Sequence, residues 1–205
     1  MKKQIFLFLL LLTSSLSKAQ FFYGDFCLDC YASIEAGGIY SNISGLENSS
    51  GKTGFYFGFY QFFPIDDQFS FRSGLSYNNI GAEVDGFDTP LIIHSINFPL
   101  SLHYRLKENY QFFGGGEFGT NLFGKYPQRR DEYYDSFDNQ MAFNENFTFL
   151  DVSAFLGVGY IISDNIDFNL KYNLGLTSIN KEDIFRDNNW KKNWLTLSVG
   201  YTFRD

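Results

Sequence analysis

Cysteine is nearly absent from this chain. Cys27 and Cys30 are the only two in 205 residues, too few for a disulfide-stapled scaffold. Spaced C-x-x-C, they form a local disulfide or remain idle thiols; a redox motif needs a βαβ setting that their surroundings lack. Histidine is equally scarce. A zinc site would need two further ligands, and His94 and His103 are the only histidines, so no metal site and no cofactor is expected. Positive charge is in short supply: 16 Lys and Arg face 23 Asp and Glu, for a net charge of −7. Without a basic stripe to meet phosphates, nucleic acid is excluded as a partner. Gly-x-Ser-x-Gly does not occur, nor does a calcium loop with spaced ligands, so no catalytic residue is expected. Past the N-terminus no apolar run approaches the ~20 residues of a membrane-spanning helix. Proline is limited to four residues, which leaves room for long strands.

Aromatics are abundant instead. Phe (26), Tyr (14) and Trp (2) make up 20% of the chain, more than a soluble core readily absorbs. A membrane barrel can place them outside, on lipid and in interfacial girdles.

The clearest pattern lies in Phe149–Asn180. Leu150, Val152, Ala154, Leu156, Val158 and Tyr160 share one face, and Asp151, Ser153, Phe155, Gly157 and Gly159 the other. After Ser163-Asp164-Asn165, the face Ile166, Phe168, Leu170, Tyr172, Leu174, Leu176 alternates with Asp167, Asn169, Lys171, Asn173, Gly175, Thr177. A period of two means strand, and each run is about twice the usual strand length of ~5–6 residues. One apolar face and one small or polar face is the pattern of a hairpin between lipid and a polar lumen.

The same alternation predicts strands over Tyr31–Tyr40, Thr53–Phe63, Phe69–Val84, Leu91–Leu106, Tyr110–Lys125 and Trp194–Phe203, which makes eight with the hairpin. Thr53–Phe63 is aromatic on both faces; Gly58 points its even-numbered side inward. Pro99 interrupts an otherwise regular strand and is expected to sit at a bulge. Connections are expected to be long after the first (Ser41–Lys52), fifth (Tyr126–Asn146) and seventh strands, moderate after the third, and short after the others. The expected fold is all-β: an eight-stranded antiparallel up-and-down transmembrane β-barrel with short periplasmic turns and long outer loops.

The N-terminus carries Lys2 and Lys3, an apolar run Ile5–Leu12, and small residues ending Ser17-Lys18-Ala19. Residues 1–19 therefore read as a signal peptide, 20–30 as a periplasmic lead-in and 31–205 as an outer-membrane β-barrel domain. Both termini would be periplasmic.

Inward faces collect Glu35, Arg72, His103, Arg105, Glu117, Asp151, Asp167 and Lys171. In a narrow lumen unpaired charge is costly, so ion pairs are expected across it. Arg72 is expected to meet Glu117 or Asp151, and Lys171 a neighbouring carboxylate. His94 is expected as a solvated loop histidine near Asp85 and Asp88. The acidic stretch Asp131–Asp138 carries Tyr133, Tyr134 and Phe137, candidate contacts for a partner or glycan.

Several segments resemble the PorT-type outer-membrane β-barrel family of Bacteroidota. They are Gly37–Ile43, Gly54–Gly81, Ile96–Tyr104 (INFPLSLHY, similar to that family's strand with a central proline) and Lys171–Ile179. The resemblance implies a small outer-membrane barrel, in some members a component of type IX secretion or gliding. The end of the chain departs from a common barrel pattern, because Arg204 and Asp205 follow Phe203. The leading expectation is a structural, adhesive or envelope-interaction role without catalysis. A secretion or gliding apparatus component is the second reading, and a soluble lipocalin-like carrier the third. Expected partners are outer-membrane lipid and other envelope proteins.

Overall fold

Eight long strands pair in sequence order and close on themselves. They are β1 (Tyr31–Ser44), β2 (Ser49–Pro64), β3 (Phe69–Val84), β4 (Leu91–Leu106), β5 (Tyr110–Lys125), β6 (Leu150–Ser163), β7 (Ile166–Gly175) and β8 (Lys191–Phe203). All neighbours are antiparallel. The seam is β1 on β8, an unbroken register from Ala32↔Phe203 to Ser44↔Lys191. The computed structural model describes residues 29–107, 109–128, 143, 145–181 and 189–203. The barrel lies within Tyr31–Asp205, a unit separate from Met1–Cys30. Among the described residues no helix is long and apolar enough to cross a membrane.

The facing follows from the alternation. In β8, Leu195, Leu197, Val199, Tyr201 and Phe203 point out, while Trp194, Thr196, Ser198, Gly200 and Thr202 are buried. In β2 the even side faces inward: Tyr56, Gly58, Tyr60 and Phe62 are buried, and Phe55, Phe57 and Phe59 are exposed. Leu156 at 75% and Leu197 at 61% exposure are fully presented to the surroundings. A belt of such residues is tolerable only where hydrocarbon surrounds it. A soluble lipocalin-like barrel needs the opposite facing, with its apolar side inward.

Aromatic pairs mark the end of the barrel that carries the short turns. Tyr110 meets Tyr160 at 5.2 Å between ring centroids, Phe69 meets Tyr104 at 4.9 Å, and Tyr201 meets Phe203 at 5.1 Å. Amphipathic and apolar rings of this kind form the girdle at a membrane boundary. Tyr31 pairs with Phe62 and Ala32 with Phe203, so the barrel begins and ends at this same end.

Two expectations fail in detail. The connection after β1 is not long: both strands continue past the apolar belt, leaving only Gly45–Asn48 between them. Gly45 (φ 85°) and Asn48 (φ 51°) adopt the left-handed conformation that a tight reversal needs. The Ser/Asn/Gly-rich composition reads as a loop, yet Ser44 pairs with Lys191 and Ser49 with Val84. Strand backbone beyond the membrane can carry polar side chains on both faces. Nor is there a bulge at Pro99. Pairing of β3 with β4 lapses between Ser73↔Leu100 and Ser76↔Asn97 and resumes in the same register. Lacking an N–H, Pro99 removes a rung and leaves the register unshifted. The irregularity between β4 and β5 lies instead at His94/Ser95.

The facing predicts that Leu170→Arg, mid-strand on the outer wall, costs about 2–4 kcal/mol at the bilayer midplane. Urea unfolding of protein refolded into phosphatidylcholine vesicles measures this; an unchanged midpoint would place Leu170 elsewhere.

Candidate functional site

Inward residues fill the lumen with three buried ion pairs. Nearest the short-turn end, Arg72 of β3 pairs with Glu35 of β1; their side chains are 2% and 5% exposed. Tyr56 donates to Glu35 Oε2 at 2.8 Å, and its hydroxyl also meets that of Tyr60. The Arg72 guanidinium lies 4.1 Å above the Tyr60 ring and within 5.5 Å of Phe62 and Phe113. Room for Tyr60 comes from glycine: a Cβ on Gly58 would fall 2.5 Å from its ring, and one on Gly74 2.7 Å. Slots cut by small residues in two strands thus let an aromatic platform lie flat against the wall.

Further along, Lys171 of β7 faces Glu117 of β5 at 3.8 Å, an ion pair without a hydrogen bond. Glu117 Oε1 accepts from Asn97 (2.7 Å) and Ser153 (3.2 Å), and Lys171 also sits 5.1 Å from the Tyr56 and Phe155 rings. Toward the other end, Lys192 of β8 donates to Asp151 of β6 at 2.7 Å and to Asn121 at 3.0 Å. Asn121 returns a bond to the same Asp151 oxygen at 2.9 Å. Each tier is neutral and joins strands two apart in the wall, and this pairing is what makes burial of six charges tolerable.

A roof closes the long-loop end. Ile43, Ala82, Leu91 and Ile93 from the strands pack with Phe143, Phe147, Ile179 and Trp190 from the connecting segments. Phe143 and Phe147 stack at 4.6 Å, and Phe147 reaches Trp190 at 5.9 Å. Tyr126 packs against this cluster, and burial raises its hydroxyl pKa. The segments are tied down by polar bonds: Thr148 N–H donates to Ile179 C=O at 2.7 Å, and Trp190 N–H donates to Asn180 Oδ1 at 2.9 Å.

One pair has the composition of a nucleophile and base. Ser101 Oγ lies 3.1 Å from His103 Nε2, with Gln111 Oε1 3.5 Å from Nδ1. Both are buried, and the imidazole is held between Phe62 (5.1 Å) and Phe113 (4.7 Å). A small cavity at the short-turn mouth, about 20 Å³ and lined by Phe62, Arg105 and Gln111 among others, does not include Ser101 or His103 in its lining. Among the described residues no three His, Cys, Asp or Glu gather as a metal site.

The sequence-derived candidates divide as follows. Glu35, Arg72, Glu117, Asp151 and Lys171 all enter the buried tiers. Arg72, however, pairs with Glu35 rather than Glu117 or Asp151, because Asp151 lies at the far end of the barrel and Glu117 is held by Asn97, Ser153 and Lys171. Arg105 is half-buried at the short-turn mouth and belongs to none of the pairs. Cys30 is disulfide-bonded; Cys27, Tyr133, Tyr134, Phe137 and the leader residues 1–19 lie outside the described residues. His94 is no loop histidine: it stands on β4, against Tyr77 and Phe123 rather than Asp85 and Asp88. Lys192 was missed because it fell in a polar stretch read as loop. Extending the even-numbered inward face back from Thr196 through Trp194 would have found it.

Glu35→Ala leaves the Arg72 charge buried and alone, and the expected loss of stability is about 3–5 kcal/mol. The Glu35→Leu/Arg72→Met double variant should lose far less. Urea unfolding of the parent chain and both variants in micelles decides; equal loss in single and double variants would contradict the pairing.

Comparison with known proteins places this geometry. Among curated proteins nothing matches the chain. Solved structures similar to it include Neisserial surface protein A (15% identity, 85% of this chain and 97% of that one, TM-score 0.49). Another is Ail, the attachment invasion locus protein of Yersinia pestis (12% identity, 86% and 100%, TM-score 0.47). A third is the N-terminal β-barrel domain of Pseudomonas aeruginosa OprF (13% identity, 83% and 97%, TM-score 0.39). The model of the outer membrane protein beta-barrel domain matches residues 21–181, most of the chain. With its closed eight-stranded wall, apolar belt and polar lumen, the chain belongs to this family of outer-membrane β-barrel proteins.

Proposed function

We propose that the protein is a non-conducting, non-catalytic barrel whose work is structural, adhesive or envelope-interacting, done at its ends and not through its lumen. The observation that carries this reading is the filled interior: neutral ion pairs at three heights, aromatic rings packed between them and an apolar roof above. Eight-stranded walls enclose about enough space for side chains and no more. The burial of Ser101 and His103, with the imidazole packed between Phe62 and Phe113, supports the absence of catalysis.

In the proposed orientation the short-turn end and both termini are periplasmic and the long connections face outward. Support comes from the connections themselves. Those after β2, β4 and β6 span residues 65–68, 107–109 and 164–165, whereas those after β5 and β7 span 126–149 and 176–190. The signal-peptide reading of residues 1–19 belongs to the same proposal. The PorT-type resemblance rests on the strand segments quoted above and supports contact with other envelope proteins, for which affinity capture from envelope fractions is the direct assay.

In planar bilayers the purified protein is expected to give conductance at the level of the bare membrane; stable channels would overturn the occluded lumen. For orientation, Asp88→Cys should react with an impermeant thiol reagent on intact cells and Asp67→Cys only after lysis. The reverse pattern would invert the assignment.

A further inference from the structure

Polar side chains gather on the outer wall where β2 meets β3. Between β2 and β3 the register shifts from Gly51 to Tyr56. There β1 takes over part of the ladder: Gly81 N–H donates to Ser41 Oγ at 2.9 Å, and Ser41 Oγ donates to Gly81 C=O at 2.9 Å. Displaced by this insertion, Lys52 lies over the outward side of Gly81, where a Cβ would meet its Cδ at 3.1 Å. Its ammonium donates to Thr53 C=O and to Asn79 Oδ1, both at 2.9 Å. An ammonium has three N–H donors, so one remains. The Asn79 amide nitrogen lies 3.3 Å from His94 Nδ1, which the Tyr77 hydroxyl meets at 2.5 Å. His94 stacks on Phe123 at 4.4 Å, and Lys125, exposed, follows two residues along the same outward face of β5.

The height of this cluster decides what it meets. Asn79 stands ten residues past Phe69, the first residue of β3 at the short-turn end. At ~3.3 Å per residue and ~40° tilt that is about 25 Å, the full depth of a barrel's apolar belt. Outward residues below it are Phe71, Leu75 and Tyr77 on β3 and Phe98 and Ile96 on β4. The cluster therefore lies where hydrocarbon gives way to headgroups. Lys52 is held in place by groups on the wall, and Lys52 and Lys125 both act electrostatically on His94, in a chain whose net charge is −7. Glu83, exposed two residues beyond Gly81 on the same face of β3, attracts the Lys52 ammonium from its outer side, so a bound phosphate would sit on the His94 side of Lys52.

We propose that Lys52, His94 and Lys125 form a binding site on the outer wall for the phosphate of a membrane lipid headgroup, with Phe123 and Tyr77 as its apolar floor. A lysine ammonium meets phosphate oxygen as a point charge, and aromatic edges below it suit the acyl–headgroup boundary. The site rests on the orientation proposed above only for which leaflet supplies the lipid.

The test uses the full chain in dodecyl maltoside micelles, whose headgroups carry no phosphate, and orientation in the cell does not enter. Phosphatidic acid is titrated in and the His94 ring resonances are followed. A saturable shift is expected, absent with diacylglycerol, which lacks the phosphate, and absent with inorganic phosphate. Lys52→Ala and Lys125→Ala should each weaken binding roughly fivefold, the factor for about 1 kcal/mol per lysine at a membrane surface. Lys191→Ala, outward on β8 across from Ser44, should change nothing. Three outcomes overturn the site: no saturable shift, an equal effect of Lys191→Ala, or the same shift with inorganic phosphate. Heat-modifiable gel migration confirms that each variant is folded. Should Lys52→Ala fail to fold, Lys125→Ala on the exposed end of β5 still decides.

Discussion

Backbone hydrogen bonding in hydrocarbon governs everything else in this molecule. No water is available in the bilayer core, so each strand N–H and C=O must find a partner within the chain. Closure of β1 on β8, from Ala32↔Phe203 to Ser44↔Lys191, removes the two edges that an open sheet would leave. The closed wall then imposes two solvents, lipid outside and protein inside. Side chains alternate between them with period two. The Leu/Phe/Tyr face is exposed because lipid is its solvent, and the Ser/Asn/Gly face is buried because the lumen is narrow.

A narrow lumen also limits its own chemistry. Side chains from eight strands meet near the axis, so any charge there is far from water and must be compensated by another. The Arg72–Glu35, Lys171–Glu117 and Lys192–Asp151 pairs meet that demand at successive heights. Aromatic rings fill what remains, seated where glycine removes bulk: Tyr60 against Gly58 and Gly74, Phe113 against Gly157. The same packing that stabilises the barrel fills its lumen with side chains.

The strand pattern made most of the fold legible. β3, β4 and β5 begin and end at the residues where alternation begins and ends. Gly58 sufficed to orient β2, whose two aromatic faces are otherwise alike, because only the inward face needs a slot for a ring. Errors arose where local composition was taken as a guide to backbone state. Ser41–Lys52 is polar and glycine-rich, yet most of it is paired strand. Lys192 was lost the same way, hidden in a polar run whose phase was already inward. Pro99 was expected to bend the ladder and only thinned it, because its neighbours on β5 held the register.

Sequence by itself determined the two-sided division of each regular strand into an apolar and a small or polar face, since a strand's period admits no third direction. It determined the strand number, and with it the closed class of fold. Tertiary structure alone decided the partners. Which carboxylate meets Arg72 depends on strand tilt and on the reach of a long side chain, neither of which the linear order encodes. The roof of Phe143, Phe147, Ile179 and Trp190 joins residues of two distant connections, and Lys52 faces lipid only because Ser41 displaces its strand. In each case the cause is a contact between segments far apart in the chain, which period and composition do not register.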